Sequence, residues 1–183
     1  MASTGSTDLI IRPAALDDAE PLLAIYRPIV LQTAISFELE PPTLEQFQQR
    51  IETALTGWEW LVAEADGRIA GYAYGTSHRP RGAYRYAVET SAYVHPDFYR
   101  RGIGLALYQK LLPNLAKKGY CNAYAAIALP NEASIALHRR AGFEYIGTFP
   151  SVGRKFGRWH DVSWWHCRLL ADYTAFLPAV FEM

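Results

Sequence analysis

Cysteine is nearly missing from this chain: Cys121 and Cys167 are the only two. They lie far apart in apolar surroundings, without the spacing of a zinc site or a redox pair, so two buried reduced thiols are expected and no metal. An excess of either charge is missing too. Eighteen basic residues balance eighteen acidic ones, which argues against a general polyanion binder, because nucleic-acid binding shows as a basic excess or stripe. A local basic site remains compatible. No apolar run is long enough to cross a bilayer. Residues 1–7 are small and polar, without the basic start and apolar segment of a secretion signal. Nucleic acid and membrane are therefore set aside as partners, and a cytoplasmic location is expected. Repeats, low-complexity tracts and dividing linkers are also lacking.

What is present suits one α/β domain over residues 1–183, with a leader at 1–7 and a tail at 171–183. Half of the residues are hydrophobic and 14% aromatic, enough to bury a core without covalent staples. Leu9–Arg12 reads as a first strand. Leu22, Leu23, Ile25, Tyr26 and Ile29 form the apolar face of a helix interrupted by prolines. Ile35–Glu40 alternates briefly. Thr43 with Gln46 is a capping signature for a helix to about residue 56. Trp58–Ala65 and Ile69–Gly75 flank Asp66-Gly67 as a hairpin. Ala87–Val94 is an apolar central strand, and Ile103, Leu107 and Leu111 fall one turn apart on a helix containing Pro113. A short Ala-rich strand at 120–129, a helix from Pro130-Asn131 to Ala141-Gly142, and strands at 143–148 and 162–170 complete the chain. Lys155–Asp161 reads as a polar-aromatic turn. The order β-α-α-β-β-β-α-β-α-β-β predicts one mixed twisted sheet with helices on both faces.

The stretch Tyr99-Arg100-Arg101-Gly102-Ile103-Gly104 sits between the central strand and its following helix. Strand, basic glycine turn and helix together aim free backbone N–H groups and a positive helix end at an anion. Glycine at 102 and 104 lets the chain approach a phosphate without a Cβ between them, and Arg100 and Arg101 add forked donors. The expected ligand is a pyrophosphate. A Walker loop requires a longer glycine spacing followed by Lys-Ser or Lys-Thr, which is absent. The dinucleotide fingerprint requires a third glycine where Leu107 stands.

The pattern left is a short Q/R-x-x-G-x-G/A, and here the chain resembles the GNAT superfamily of acetyl-CoA-dependent acetyltransferases, with Tyr99 in place of the usual Gln or Arg. A second element strengthens the resemblance. Asn131-Glu132-Ala133-Ser134-Ile135-Ala136-Leu137-His138, followed by Gly142-Phe143, is similar to that family's Asn-x-x-Ala-x-x-x-Tyr helix, with His138 where Tyr is usual. Val88–Val94, Leu129-Pro130-Asn131, His138 and Gly157–Val162 resemble the phosphinothricin and methionine sulfoximine N-acetyltransferase branch. The similarity extends from about Ile10 to Leu170.

The resemblance implies a GNAT-like, mostly antiparallel sheet and acetyl-CoA as co-substrate. Backbone of Ala92, Tyr93 and Val94, the turn from Arg100 through Leu105 (Ile103 included), and Asn131 and Ser134 would hold it. An N-cap asparagine and a surface serine would satisfy the last two positions equally. It also implies acetyl transfer to the α-amino group of a small amino acid with a phosphinyl, sulfoximine or sulfone head. Acyl transfer to an amine requires loss of an ammonium proton, a polarised carbonyl and a proton for the thiolate. Glu89, a carboxylate in an apolar strand, is the expected base, its pKa raised by burial; pairing with Arg85 is the rival. His138, one turn beyond Ser134, is the expected acid. A strand N–H near Ala92 to Val94, at a β-bulge in relatives, would hold the oxyanion.

Arg79, Arg81, Tyr84 and Arg85 precede the central strand and suit an amino acid's carboxylate and oxygen-rich head. By resemblance Arg79 and Glu89-Thr90-Ser91 touch substrate, but relatives read Trp-Arg-Pro-Phe where this chain has His78-Arg79-Pro80-Arg81. Phe37 and Glu38 are an expected wall and amine partner. Trp159-His160 closes the pocket or meets a partner, and the apolar run at Phe176–Phe181 suggests a homodimer. Open alternatives are an acetyltransferase for peptide N-termini or polyamines, and a coenzyme A-binding module without catalysis.

Overall fold

The computed structural model describes residues 9–170, and the leader at 1–7 and the apolar run at 176–181 lie outside them. In chain order the elements are β1 (Ile10–Pro13), α1 (Ala19–Gln32), α2 (Leu44–Gly57), β2 (Trp60–Ala65), β3 (Arg68–Ser77), β4 (Ala87–Val94), α3 (Ile103–Lys117), β5 (Asn122–Ala128), α4 (Glu132–Arg140), β6 (Glu144–Lys155) and β7 (Arg158–Arg168). This is the predicted order. The seven strands form one sheet, β1-β2-β3-β4-β5-β7-β6, antiparallel everywhere except between β4 and β5.

Period-two alternation along the inner strands divides the core between the faces. Leu61, Ala63, Ala73 and Val88 pack against Leu107, Leu111 and Leu115 of α3. On the other face Trp60, Val62 and Tyr72 meet Leu22, Leu23 and Tyr26 of α1 and Phe47 and Ile51 of α2. Thr43 caps α2 as expected, its hydroxyl accepting from Gln46 N at 3.2 Å. Pro113 does not end α3, which continues to Lys117.

One region departs from the sequence reading. The polar-aromatic stretch at 155–161 is not a broad turn: only Phe156 and Gly157 make it, both at positive φ, inside a long β6–β7 hairpin. The briefly alternating stretch Ile35–Glu40 forms no helix or strand, in keeping with the predicted order. It is tied down by the buried Lys155, whose ammonium donates to the carbonyls of Val30 (2.7 Å) and Ser36 (2.6 Å).

One topological feature positions the site. β4 and β5 pair only from Ala87↔Asn122 to Glu89↔Tyr124. Beyond that point β4 stays with β3 as far as Val94↔Gly71, and β5 stays with β7 as far as Ala128↔Val162. The two parallel strands part, leaving a fork in the sheet with Glu89 and Tyr124 at its crotch.

Candidate active site

The glycine turn lies at the open end of the fork. After β4, His95 Nδ1 accepts from the amide of Asp97 at 3.2 Å and starts a single helical turn. Arg100 and Gly102 then take left-handed φ values of 62° and 79°. Gly102 is the residue before α3, and the first backbone bond of that helix runs from Ala106 N to Gly102 O at 3.0 Å. The amides of Gly102, Ile103, Gly104 and Leu105 donate to no backbone carbonyl among the described residues. Four N–H groups at a positive helix end are therefore left without a backbone acceptor at one place.

The two glycines have different reasons. A Cβ on Gly102 would meet open space, so its backbone angle is what selects glycine. A Cβ on Gly104 would stand 2.9 Å from Cδ2 of Leu137, so this glycine admits α4 against α3. The arginines differ as well. Arg101 reaches back to Asp66 at 2.9 Å and lies over the Phe98 ring at 5.0 Å, bracing the β2–β3 turn. Arg100 is exposed and has no ion-pair partner among the described residues.

Inside the fork, the bond from His95 N to Ala70 O (2.8 Å) sets the phase of the β3–β4 ladder. Odd residues of β4 bond to β3. Ala92 and Val94 aim their N–H and C=O groups the other way, into the gap left by β5. The β3–β4 register runs without a shift from Gly71↔Val94 to Ser77↔Val88. The bulge expected in β4 is thus not there, and strand divergence frees the backbone instead. Thr90 faces α3, buried, its hydroxyl 3.3 Å from the carbonyl of Tyr124. It lies on the opposite side of the sheet from Glu89 and Ser91.

α4 begins beside the fork. Asn131 caps it, Oδ1 accepting from Ser134 N at 3.1 Å, and its side-chain nitrogen has no partner among the described residues. His138 is buried behind it. Its Nδ1 donates to the carbonyl of Ser134 at 2.7 Å, with the Ser134 hydroxyl at 3.3 Å, and its Nε2 is 2.9 Å from the hydroxyl of Tyr108. Burial lowers the His138 pKa, and the Ser134 carbonyl opposes that only partly. Both nitrogens are engaged in a neutral ring, and neither His138 nor Tyr108 reaches the surface.

On the face of β4 toward α1 and α2, Glu89 Oε1 accepts from His78 Nδ1 at 2.9 Å and from Arg79 Nη1 at 3.0 Å. Arg85, named from sequence as the rival partner of Glu89, lies over the Tyr86 ring at 4.8 Å. Arg79 also covers Trp164 at 5.6 Å. The ring of Tyr84 stands edge-on to His78 at 5.7 Å, and Arg81 precedes the single helical turn holding Tyr84. Across the pocket, Glu38 accepts from Arg50 (2.7 Å) and from the Tyr26 hydroxyl (3.1 Å). Phe37 lies 6.1 Å from the His160 ring. Tyr26, Tyr72, Tyr74 and Tyr93 crowd this face, and desolvation raises every one of their pKa values, Tyr26 to about 12. They remain neutral hydroxyls. A cavity of about 430 Å³ lies between α2 and the sheet, bounded by Arg50, Trp60, Tyr74 and Thr76; Thr76 is the cross-strand neighbour of Glu89. Sequence reasoning missed His78, Arg50 and Tyr108. Of these only His78, next to Arg79, carried a local signal.

A forked sheet with unbonded amides at a helix start and a carboxylate at the crotch suits a ligand that carries a phosphate group and lies along a free strand edge. Residues 11–164 match the model of the acetyltransferase (GNAT) domain, and the chain belongs to that family. It is 39% identical over 165 residues, 88% of this chain and 96% of the relative, to a phosphinothricin N-acetyltransferase of Streptomyces coelicolor. It is 40% identical over 161 residues, 87% of this chain and 94% of the relative, to an L-methionine sulfoximine/L-methionine sulfone acetyltransferase of Pseudomonas aeruginosa. The crystal structure of a GNAT phosphinothricin acetyltransferase from Sinorhizobium meliloti, in complex with acetyl-CoA, superposes with a TM-score of 0.87 at 34% identity, covering 94% of each chain.

Proposed function

We propose that this protein transfers the acetyl group of acetyl-CoA to the α-amino group of a small amino acid or analogue of the phosphinothricin, methionine sulfoximine or methionine sulfone type. The observation that carries this reading is the fork: unbonded amides at its open end, unbonded strand backbone along one arm, and a carboxylate at its crotch. Acetyl-CoA supplies the activated carbonyl. The amides of Gly102–Leu105 with Arg100 hold its diphosphate, and the side-chain nitrogen of Asn131 with Ser134 takes the arm. The strand N–H groups of Ala92 and Val94 polarise the carbonyl oxygen. Proton removal from the ammonium depends on Glu89. Phe37, Glu38 and His160 form one wall of the acceptor pocket; Arg79, Arg81, Tyr84, Arg85 and Ser91 form the other.

His138 enters this scheme as a brace. A neutral, buried imidazole whose one N–H is spent on a carbonyl has no proton to hand over, so the thiolate takes a proton released by the amine. The His138–Tyr108 pair keeps the start of α4 against α3, where Asn131 and Ser134 are useful.

A second copy of the chain is proposed as the partner, in the cytoplasm. β6 is an edge strand exposing Tyr145, Ile146, Phe149 and Val152, an apolar edge of the kind proteins cover. Among the described residues no helix is long and apolar enough to cross a membrane. Sedimentation at micromolar concentration tests the assembly, and a monomer would refute it. For the activity, thiol release from acetyl-CoA is measured with amino acids, methionine sulfone, methionine sulfoximine, a peptide and polyamines. Release with the sulfone and sulfoximine above the rest is expected. Release only with peptide or polyamine, or none despite tight acetyl-CoA binding, would overturn the proposal.

A further inference from the structure

We propose that His78 is the group that takes the proton from the acceptor's ammonium, and that Glu89 stands behind it as the carboxylate that orients the ring and balances its charge. This rests on the transferase reading and assigns its proton acceptor. The first argument is the tautomer. An ionised carboxylate only accepts hydrogen bonds, so the 2.9 Å contact between Glu89 Oε1 and His78 Nδ1 puts the hydrogen on Nδ1. Nε2 is left with a lone pair, and it has no hydrogen-bond partner among the described residues.

The second argument is rigidity and place. The His78 ring stacks on Tyr124 with centroids 4.7 Å apart and planes 20° from parallel, and meets the ring of Trp164 edge-on at 6.1 Å. Its side chain is 14% exposed, enough for a substrate atom to reach it and too little for a freely turning surface residue. Tyr124 and Glu89 are the last paired residues before β4 and β5 part. The imidazole therefore covers the crotch of the fork, where a thioester lies if its diphosphate is held at the open end.

The third argument is that Glu89 is poorly placed to take the proton itself. Its Oε1 already accepts two N–H bonds, one from His78 and one from the Arg79 guanidinium, and these tie the carboxylate to the ring and the loop. The charged and titratable groups around the ring are Glu89 from β4, Arg79 from the same loop, Tyr84 from the following turn and Tyr124 from β5. His166 on β7 lies behind Tyr124 with its ring 5.1 Å away and its pKa lowered by burial, so it stays neutral. Arg79 and Glu89 cancel, and the proton gained by His78 faces the carboxylate across one hydrogen bond.

In the step proposed, an N–H bond of the ammonium breaks and its electron pair stays on the nitrogen, which becomes the nucleophile. The proton forms a bond to Nε2 of His78, giving an imidazolium paired with Glu89, and later leaves to solvent.

Three measurements on the full chain test this. In 15N–1H spectra His78 should show a protonated Nδ1 and an unprotonated Nε2. The variants His78→Gln and His78→Phe should keep acetyl-CoA affinity within about twofold and lose about 100-fold or more in kcat/KM at neutral pH. The ascending limb of the kcat/KM profile should disappear in both, although Phe preserves the stack on Tyr124. Free imidazole should restore His78→Gly at least about tenfold with saturation, which a purely packing role would not allow. A hydrogen on Nε2, an ascending limb that persists in His78→Gln, or His78→Phe keeping a third of the activity would overturn the assignment and leave the transferase reading standing. A wild-type chain inactive with every amine would overturn both.

Discussion

The hydroxyl of Tyr108 donates to Nε2 of His138 across 2.9 Å and joins α3 to α4. Tyr108→Phe leaves that buried nitrogen unpaired and should cost about 1–3 kcal/mol of stability, a drop in Tm of several degrees. Its effect on turnover should appear in the KM for acetyl-CoA and leave kcat nearly unchanged. A large fall in kcat at unchanged Tm would return the pair to an acid role.

The same pair has a pH signature. The native pKa of His138 lies below its ordinary value of 6.5 because of burial. Above 6.5 the ring is neutral folded or unfolded and stability is unaffected by it. As pH falls below 6.5 the unfolded chain binds a proton that the native chain refuses, so stability drains until the lowered native pKa is passed. Thermal melts should show a steeper acid loss for the wild type than for His138→Gln, and equal slopes would contradict it.

Glu89→Gln keeps the shape of the side chain and removes its charge. Turnover should fall by about 100-fold or more, with acetyl-CoA binding by calorimetry unchanged because the diphosphate site proposed for Gly102–Leu105 is at the other end of β4. Preserved turnover would sink the role of Glu89.

At the glycine turn, Gly102→Ala must hold a left-handed φ of 79°. The strain is about 1–2 kcal/mol, and the KM for acetyl-CoA should rise about tenfold as the amides rotate. Gly104→Ala should act differently, through its contact with Leu137. A loss of Tm as α4 is pushed outward is expected, and a crystal structure of the variant would show it.

A Cβ on Gly153 would fall 2.0 Å from Cε2 of Phe37. Gly153→Ala must therefore move Phe37 from the wall proposed for the acceptor pocket. Steady-state kinetics should give a several-fold higher KM for the amine and an unchanged KM for acetyl-CoA; equal values for both substrates would remove Phe37 from the pocket.

Much of this was open to reading in the sequence. The order of elements, the Asp66-Gly67 hairpin, the capping of α2 by Thr43 and the unbonded amides after Tyr99 follow from spacing and local backbone preference. The allocation of single side chains was less legible. Glycine at 104 looked like a phosphate contact and packs on Leu137. Arg85 was the rival partner for Glu89, and His78 and Arg79 are the residues bonded to it. Thr90 looked like a neighbour of substrate and faces α3. In each case the deciding contact comes from a residue distant along the chain, and no local pattern encodes it.

The sequence by itself determined the two-faced sheet and the glycine turn with its unbonded amides, because alternation, glycine conformation and helix starts act over a few residues. Only the tertiary structure decided where β4 and β5 separate, since β4 follows β3 to Val94 and β5 follows β7 to Ala128 along diverging paths. The same packing set the tautomers of His78 and His138, which turn on whether a carboxylate or a carbonyl, brought in from elsewhere in the fold, meets the ring.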